Sequence, residues 1–180
     1  MGEFELIRRY FLPLAGRQES GSLILGPGDD CAIQRIPAGR DLVFSVDALV
    51  EGVHFPRNYR PDYLGWRALA AAASDLAAMG AKPLVYLLAL SLPNTIDIAW
   101  LELFANGLKQ DQINFGINII GGDTSSTPGP TSISVTMLGR IKVNEALKQS
   151  NAKIGDDIWV SGNIGDAGLA MGSRWIEQAV

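Results

Sequence analysis

The chain has 180 residues, of which 47% are hydrophobic and 19% charged, and its formal net charge is −4. That is enough apolar material for one sizeable core and more chain than one average domain needs, while the scattered Lys and Arg exclude the basic stripe of a nucleic-acid binder. A single cysteine, Cys31, excludes an intrachain disulfide framework and any multi-cysteine zinc site, which points to a reducing compartment.

Phe4, Leu6, Ile7, Tyr10 and Phe11 recur at helical spacing and predict a short amphipathic helix that ends before Pro13. The same N-terminus carries Glu3 and Glu5 and no apolar run of signal-peptide length, and no later run approaches the length of a bilayer span. The expected location is cytoplasmic, with no membrane partner. Next, "GPGDDCA" at 26–32 sets two aspartates, Asp29 and Asp30, side by side among turn-forming residues. Gly, Pro and Asp favour turns for backbone reasons of their own, so an ordinary solvated turn is one reading and an acidic ligand site is the other. Cys31, with no histidine nearby in sequence, reads as a small buried residue.

"DLVFSVDALV" at 41–50 predicts a strand with Asp47 at or just beyond its end. From Pro61 the stripe Leu64, Ala68, Leu69, Ala72, Leu76 and Met79 predicts a helix stopped by Gly80, with Asp75 flanking its apolar face. A strand at 84–92 follows, then a helix carrying Ile98, Leu101, Phe104, Ala105 and Leu108 on one face, with Asp97 or Thr95 to cap it. "INII" at 117–120 predicts a short strand running directly into "GGDTSS". The alternation of Ile133, Val135 and Met137 with Ser and Thr predicts an antiparallel strand over 131–141, covered on one side. That strand, together with consecutive strands lacking a crossover, favours α+β (mixed α/β) over a doubly wound sheet. A strand at 157–161 and a helix at 166–178 cannot bury their own apolar faces, so they read as the opening of a second domain whose remainder is not in the chain. The expected division is 1–145 and 146–180.

Asp29, Asp30, Asp47 and Asp123 each fall where a strand or glycine turn is expected to end, and Asp75 rides a helix beside its stripe, so the five are expected to converge on one rim. Carboxylates ~4 Å apart repel by about 4 kcal/mol at an effective dielectric of ~20, so such a cluster calls for cations. Magnesium suits it, being a hard cation held by a few carboxylates together with substrate phosphates. Gly26, Gly28, Gly121 and Gly122 allow close backbone approach to an anion. The phosphate-loop motif G-x-x-x-x-G-K-[ST] is missing and no lysine precedes Lys82, so a nucleotide here would depend on metal and arginine for neutralisation. His54, the only histidine, has an ordinary structural reading beside a functional one.

In order and spacing, "GPGDDCA", "SVDALVEGVHF", "SDLAAMGA", "GGDTS" and "NAKIGDDIWVSGNIGDAGLA" resemble the N-terminal portion of the thiamine-monophosphate kinase family. That family belongs to the superfamily of aminoimidazole ribonucleotide synthetase and selenophosphate synthetase. The resemblance implies transfer of the ATP γ-phosphoryl group to thiamine phosphate, with several Mg2+ ions and no general base. It also implies a homodimer whose N-terminal sheets pair into a barrel, with 1–145 the metal- and ATP-binding and dimerisation domain. Asp30, Ser45, Val46, Asp47, Asp75 and Asp123 would be metal ligands, with Asp29 a further candidate. Gly122, Asp123 and Gln149 would lie against the nucleotide, and His54 against the substrate. Val46 stands where the family often has threonine, so any ligand there is its backbone carbonyl. Gln149 stands where the family often has arginine, which removes a charge from any phosphate contact. Two rivals remain: a relative that spends ATP on an amide or selenide, the latter disfavoured because no cysteine precedes Cys31, and a non-catalytic cation-binding dimerisation module.

Overall fold

The computed structural model describes residues 3–15, 22–160, 162–166 and 168. The chain divides into two compact units, Met1–Leu147 and Lys148–Val180. In the first, strands β1 (Leu23–Leu25), β2 (Ile33–Gln34), β3 (Arg40–Val50), β4 (Lys82–Pro93), β5 (Asn118–Thr127) and β6 (Ser132–Lys142) combine with helices α1 (Glu3–Leu6), α2 (Pro61–Ala78) and α3 (Ile98–Phe115). The main sheet has four strands in the order β3-β6-β4-β5, and β1 pairs with β2 separately. β6 is antiparallel to both β3 and β4, whereas β4 and β5 run parallel. A mixed sheet backed by helices fits the expected α+β class. One premise of that expectation is corrected, because α3 lies between the parallel strands β4 and β5 and is their crossover.

α2 forms as its stripe predicts: Leu64, Ala68, Leu69, Ala72 and Leu76 are buried, Pro61 opens the first turn and Met79 caps the end before left-handed Gly80. α3 begins where the Asp97 carboxylate accepts the Trp100 N–H at 2.8 Å, and ends at Gly116 in the left-handed region. The two helices pack so closely that backbones touch. A Cβ on Gly107 would fall 1.9 Å from the carbonyl oxygen of Asp62, and one on Gly65 would fall 2.4 Å from that of Phe104. Together they cover one face of the sheet through Tyr86, Leu88 and Leu90 of β4 and Ile133, Val135 and Met137 of β6.

The other face is only partly covered. Leu23 of β1 packs with Val85 and Ile120, with Leu87 and Leu138 beside them, but Phe44 and Val46 of β3 are 68% and 62% exposed. Two further expectations change. The N-terminal segment does not stop before Pro13: after α1 it winds through a π turn at Ile7–Phe11 and a 3-10 turn at Leu12–Ala15, burying Tyr10, Phe11 and Leu14. Proline's missing N–H costs nothing at the start of such a turn. In the second unit, residues 157–160 form no strand, and Ile158 and Trp159 are exposed. The helix expected at 166–178 falls almost wholly outside the described residues.

Asp111 on α3 is 1% exposed. Its Oδ1 accepts from the Asn114 side chain at 3.2 Å and its carboxyl also accepts from the Trp66 indole, but Oδ2 has no partner. Burial pushes this carboxyl above the ordinary range, against the two hydrogen bonds. A carboxyl with a raised native value binds its proton more readily folded than unfolded, so stability falls as pH rises from about 4 through the raised value. Asp111→Asn removes that titration while keeping the shape. Its stability relative to the parent is expected to rise with pH. Urea titrations at pH 4 and 7 check this, and a difference independent of pH would contradict it.

Candidate functional site

β3 is an edge strand whose side chains alternate between the helix-covered face and the open one. Val43 and Leu49 join the core under α2, so Ser45 and Asp47 share that face. There the Ser45 hydroxyl donates to Asp75 Oδ2 of α2 at 2.5 Å. Asp47, two residues along β3, is roughly 7 Å farther up the same face. Asp47 lies inside β3, which continues to Val50, because the ladder with β6 pairs Asp47 with Val135 and runs on to Ser132. The strand expected over 41–50 forms, but Asp47 lies within it and not at its end.

Asp123 is likewise inside a strand. β5 continues through Thr127 because residues 121–127 pair in parallel with Leu87–Pro93. Asp123 stands beside Ala89, whose neighbours Leu88 and Leu90 belong to the helix-side core, so Asp123 faces the open side. β3 and β5 are the two edges of the sheet, three strand spacings or about 14 Å apart. The expected convergence of all the aspartates is therefore corrected: strand alternation and edge placement separate Asp123 from Asp47 and Asp75 within one chain. Among the described residues no three His, Cys, Asp or Glu side chains are grouped to hold a metal ion.

The "GPGDDCA" stretch is the turn joining β1 to β2, with Gly28 at φ 124° and the Asp29 carboxylate accepting the Asp30 N–H at 2.8 Å. Turn chemistry accounts for its composition, and Asp29 and Asp30 are both exposed. Cys31 is exposed as well, contrary to its expected burial, because it sits on this turn and not in a strand. Gly122 also has a structural reason: its Cβ would meet the Leu88 carbonyl oxygen at 1.9 Å. Gln149 belongs to the second unit, in an exposed 3-10 turn at Gln149–Asn151. Val46 points to the open face.

His54 closes a turn after β3. The Val50 N–H donates to His54 Nδ1 at 3.0 Å while the His54 N–H donates to the Val50 carbonyl at 2.8 Å. A ring nitrogen that accepts carries no proton, so the proton of the neutral ring is on Nε2. Glu51 and Arg67, which sequence patterning did not single out, tie this turn down.

A cleft of about 680 Å³ opens at the carboxyl ends of β4 and β5, lined by Leu92, Asn94, Asp97, Thr124 and Ser126 among others. Parallel strands joined by a helix commonly receive ligands there. Thr124 and Ser126 went unnoticed because the strand was expected to end at 120; recognising α3 as a crossover would have placed them. The donors of the Ser45, Asp47 and Asp75 group are all hard oxygens, with no nitrogen or sulfur. This fits magnesium, which keeps several waters and needs only one or two protein carboxylates beside substrate phosphates.

Residues 28–141 match the family described as AIR synthase related protein, N-terminal domain. The thiamine-monophosphate kinase of Escherichia coli K12 is 45% identical over 172 residues, which cover 94% of this chain and 51% of that protein. The crystal structure of thiamine-monophosphate kinase from Stenotrophomonas maltophilia K279a superposes with a TM-score of 0.83 at 42% identity, covering 100% of this chain and 55% of that one. A structure of AaThiL complexed with AMPPCP and TMP superposes with a TM-score of 0.74 at 30% identity, over 79% of this chain and 45% of that one. The chain thus spans about half the length of the relatives it matches. With the matched stretch running from the β1–β2 turn to the end of β6, the chain belongs to the AIR synthase related family, of which it carries the N-terminal domain.

Proposed function

We propose that this chain provides the metal- and nucleotide-binding half of an ATP-dependent kinase that phosphorylates thiamine phosphate to thiamine diphosphate. The observation that carries this is the Ser45–Asp75 hydrogen bond with Asp47 two residues along the same face of β3, in a chain 45% identical over 172 residues to a thiamine-monophosphate kinase. Asp75 and Asp47 would hold Mg2+, Ser45 orients Asp75 through its hydroxyl, and Asp30 of the first turn and the Val46 carbonyl would complete the shell. Bound magnesium supplies neutralisation of phosphate charge, which is the main requirement of phosphoryl transfer.

The chain's own residues supply position. Asp123 and Gly122 would line the nucleotide, and His54 offers its Nε2–H to the acceptor substrate. No side chain has to remove a proton, because the second pKa of a phosphate monoester is about 6 and the accepting phosphate is largely ionised near neutral pH. In-line approach of the two phosphates, held by these groups, is the remaining demand. The expected division at 145/146 would separate this half from a second domain, and a cytoplasmic setting would suit the substrates.

The exposed Phe44 and Val46 fit the homodimer in which open sheet faces pair, since apolar side chains exposed together on one strand mark an interaction surface. The alternative, a cation-binding dimerisation module, draws support from the placement of Asp123 on the sheet face opposite Asp47. Isothermal titration of the chain with a non-hydrolysable ATP analogue, with and without Mg2+, separates the readings. Magnesium-dependent binding is expected; cation binding indifferent to the nucleotide would favour the module.

A further inference from the structure

We propose that Arg67 is a positioning residue that fixes the turn Val50–Phe55 and so holds the His54 ring with Nδ1 accepting from the main chain and Nε2–H presented outward. That His54 then donates to thiamine phosphate rests on the function proposed above; the clamp itself does not.

The turn begins at the end of β3 and returns through a left-handed Gly52, φ 80°. Phe55, 3% exposed, anchors its far end in the core. Inside it the Gly52 N–H donates to the Phe55 carbonyl at 2.7 Å, and Val50 and His54 exchange the reciprocal pair described above. Two charged side chains brace it from outside. Glu51 accepts the Thr131 N–H through Oε2 at 3.0 Å, while the Glu51 N–H donates to the Thr131 carbonyl at 2.9 Å, tying the turn to the start of β6. From the first half of α2, Arg67 Nη1 donates to the His54 carbonyl at 2.9 Å. That carbonyl belongs to the same residue whose ring accepts from Val50, so the guanidinium sets the peptide plane on which the imidazole stands. A bond from a charged donor to a backbone acceptor is among the stronger ones available at a partly exposed position.

The consequence is chemical. With Nδ1 committed to a main-chain N–H, the ring has one polar atom left without a partner among the described residues, a donor suited to a phosphate oxygen or a ring nitrogen. If the turn relaxes, Nδ1 is released, the two tautomers become comparable and the outward-facing atom alternates between donor and acceptor. A donor averaged in this way binds an acceptor less well, although nothing that touches the ligand has been replaced.

Because His54 is the only histidine, nitrogen NMR of the chain labelled with 15N-histidine reads a single imidazole. The expected spectrum near neutral to mildly basic pH is one pyridine-type Nδ1 and one pyrrole-type Nε2. Arg67→Met is expected to move both nitrogens toward averaged values, and to weaken thiamine phosphate binding by about 10-fold in isothermal titration while leaving the ATP analogue unaffected. Arg67→Lys, which restores one charged donor, is expected to recover part of each effect, and it decides the matter if Arg67→Met does not fold. A wild-type ring already averaged or protonated on Nδ1, or an Arg67→Met spectrum like the wild type, overturns the proposal. A wild-type chain that shows the single tautomer and loses it in Arg67→Met, yet binds no thiamine phosphate, supports the clamp and shows that this half does not bind the substrate by itself.

Discussion

Gly107→Ala is expected to destabilise the unit Met1–Leu147 by about 3 kcal/mol, although by helix propensity alone the same change would stabilise α3 by up to about 1 kcal/mol. Propensity counts the entropy of the chain, whereas the new methyl would be placed 1.9 Å from the Asp62 carbonyl oxygen and 2.8 Å from its carbon. Both atoms are backbone in the first turn of α2, so no flexible side chain can swing aside. Relief requires the helices to separate. That separation would also disturb the second backbone contact, at Gly65, and the buried Leu64, Leu69, Phe104 and Leu108 between them. Interiors packed like crystals transmit such displacement instead of absorbing it. Denaturant unfolding of the two proteins reads the difference directly, and an equal or higher midpoint for Gly107→Ala would show that the helices are not held this close.

The elements with strong periodicity could be read from the sequence because burial on one side imposes a period. The α2 stripe from Leu64 to Leu76 and the β6 alternation of Ile133, Val135 and Met137 are buried as expected. What the sequence obscured was strand length at the site. "GGDTSS" has two glycines and four polar residues, the composition of a loop, yet it is strand because β4 lies alongside and Gly122 admits the Leu88 carbonyl where a side chain would block it. Pairing with a neighbour remote in sequence overrides local preference in sheets. The acidic residues were recognisable one by one, but their convergence depended on which edge and which face each occupied, and neither is encoded locally. The Ser45–Asp75 pair joins positions 30 residues apart. Arg67 was invisible for a related reason, since its partner is a backbone carbonyl and a carbonyl has no signature in the sequence.

On the function proposed above, Asp47→Asn is expected to lower magnesium-dependent affinity for the ATP analogue by about 100-fold or more, while leaving stability within ~1 kcal/mol of the parent. Asparagine keeps the size of the side chain and one oxygen but removes the charge a hard divalent cation needs. The fold should tolerate it because Asp47 is only partly buried and forms no ion pair among the described residues. Removing one of two carboxylates on the same face also relieves repulsion, so the metal-free variant should be no less stable than the parent. This combination distinguishes a ligand from a structural acid, whose loss would lower stability and binding together. Asp123→Asn supplies the contrast, because Asp123 lies on the other face at the far edge of the sheet. Equal losses in both variants would place both carboxylates against one nucleotide. A loss confined to Asp47→Asn would make the Ser45, Asp47 and Asp75 group the metal site by itself, and unchanged magnesium-dependent binding in Asp47→Asn would end the assignment.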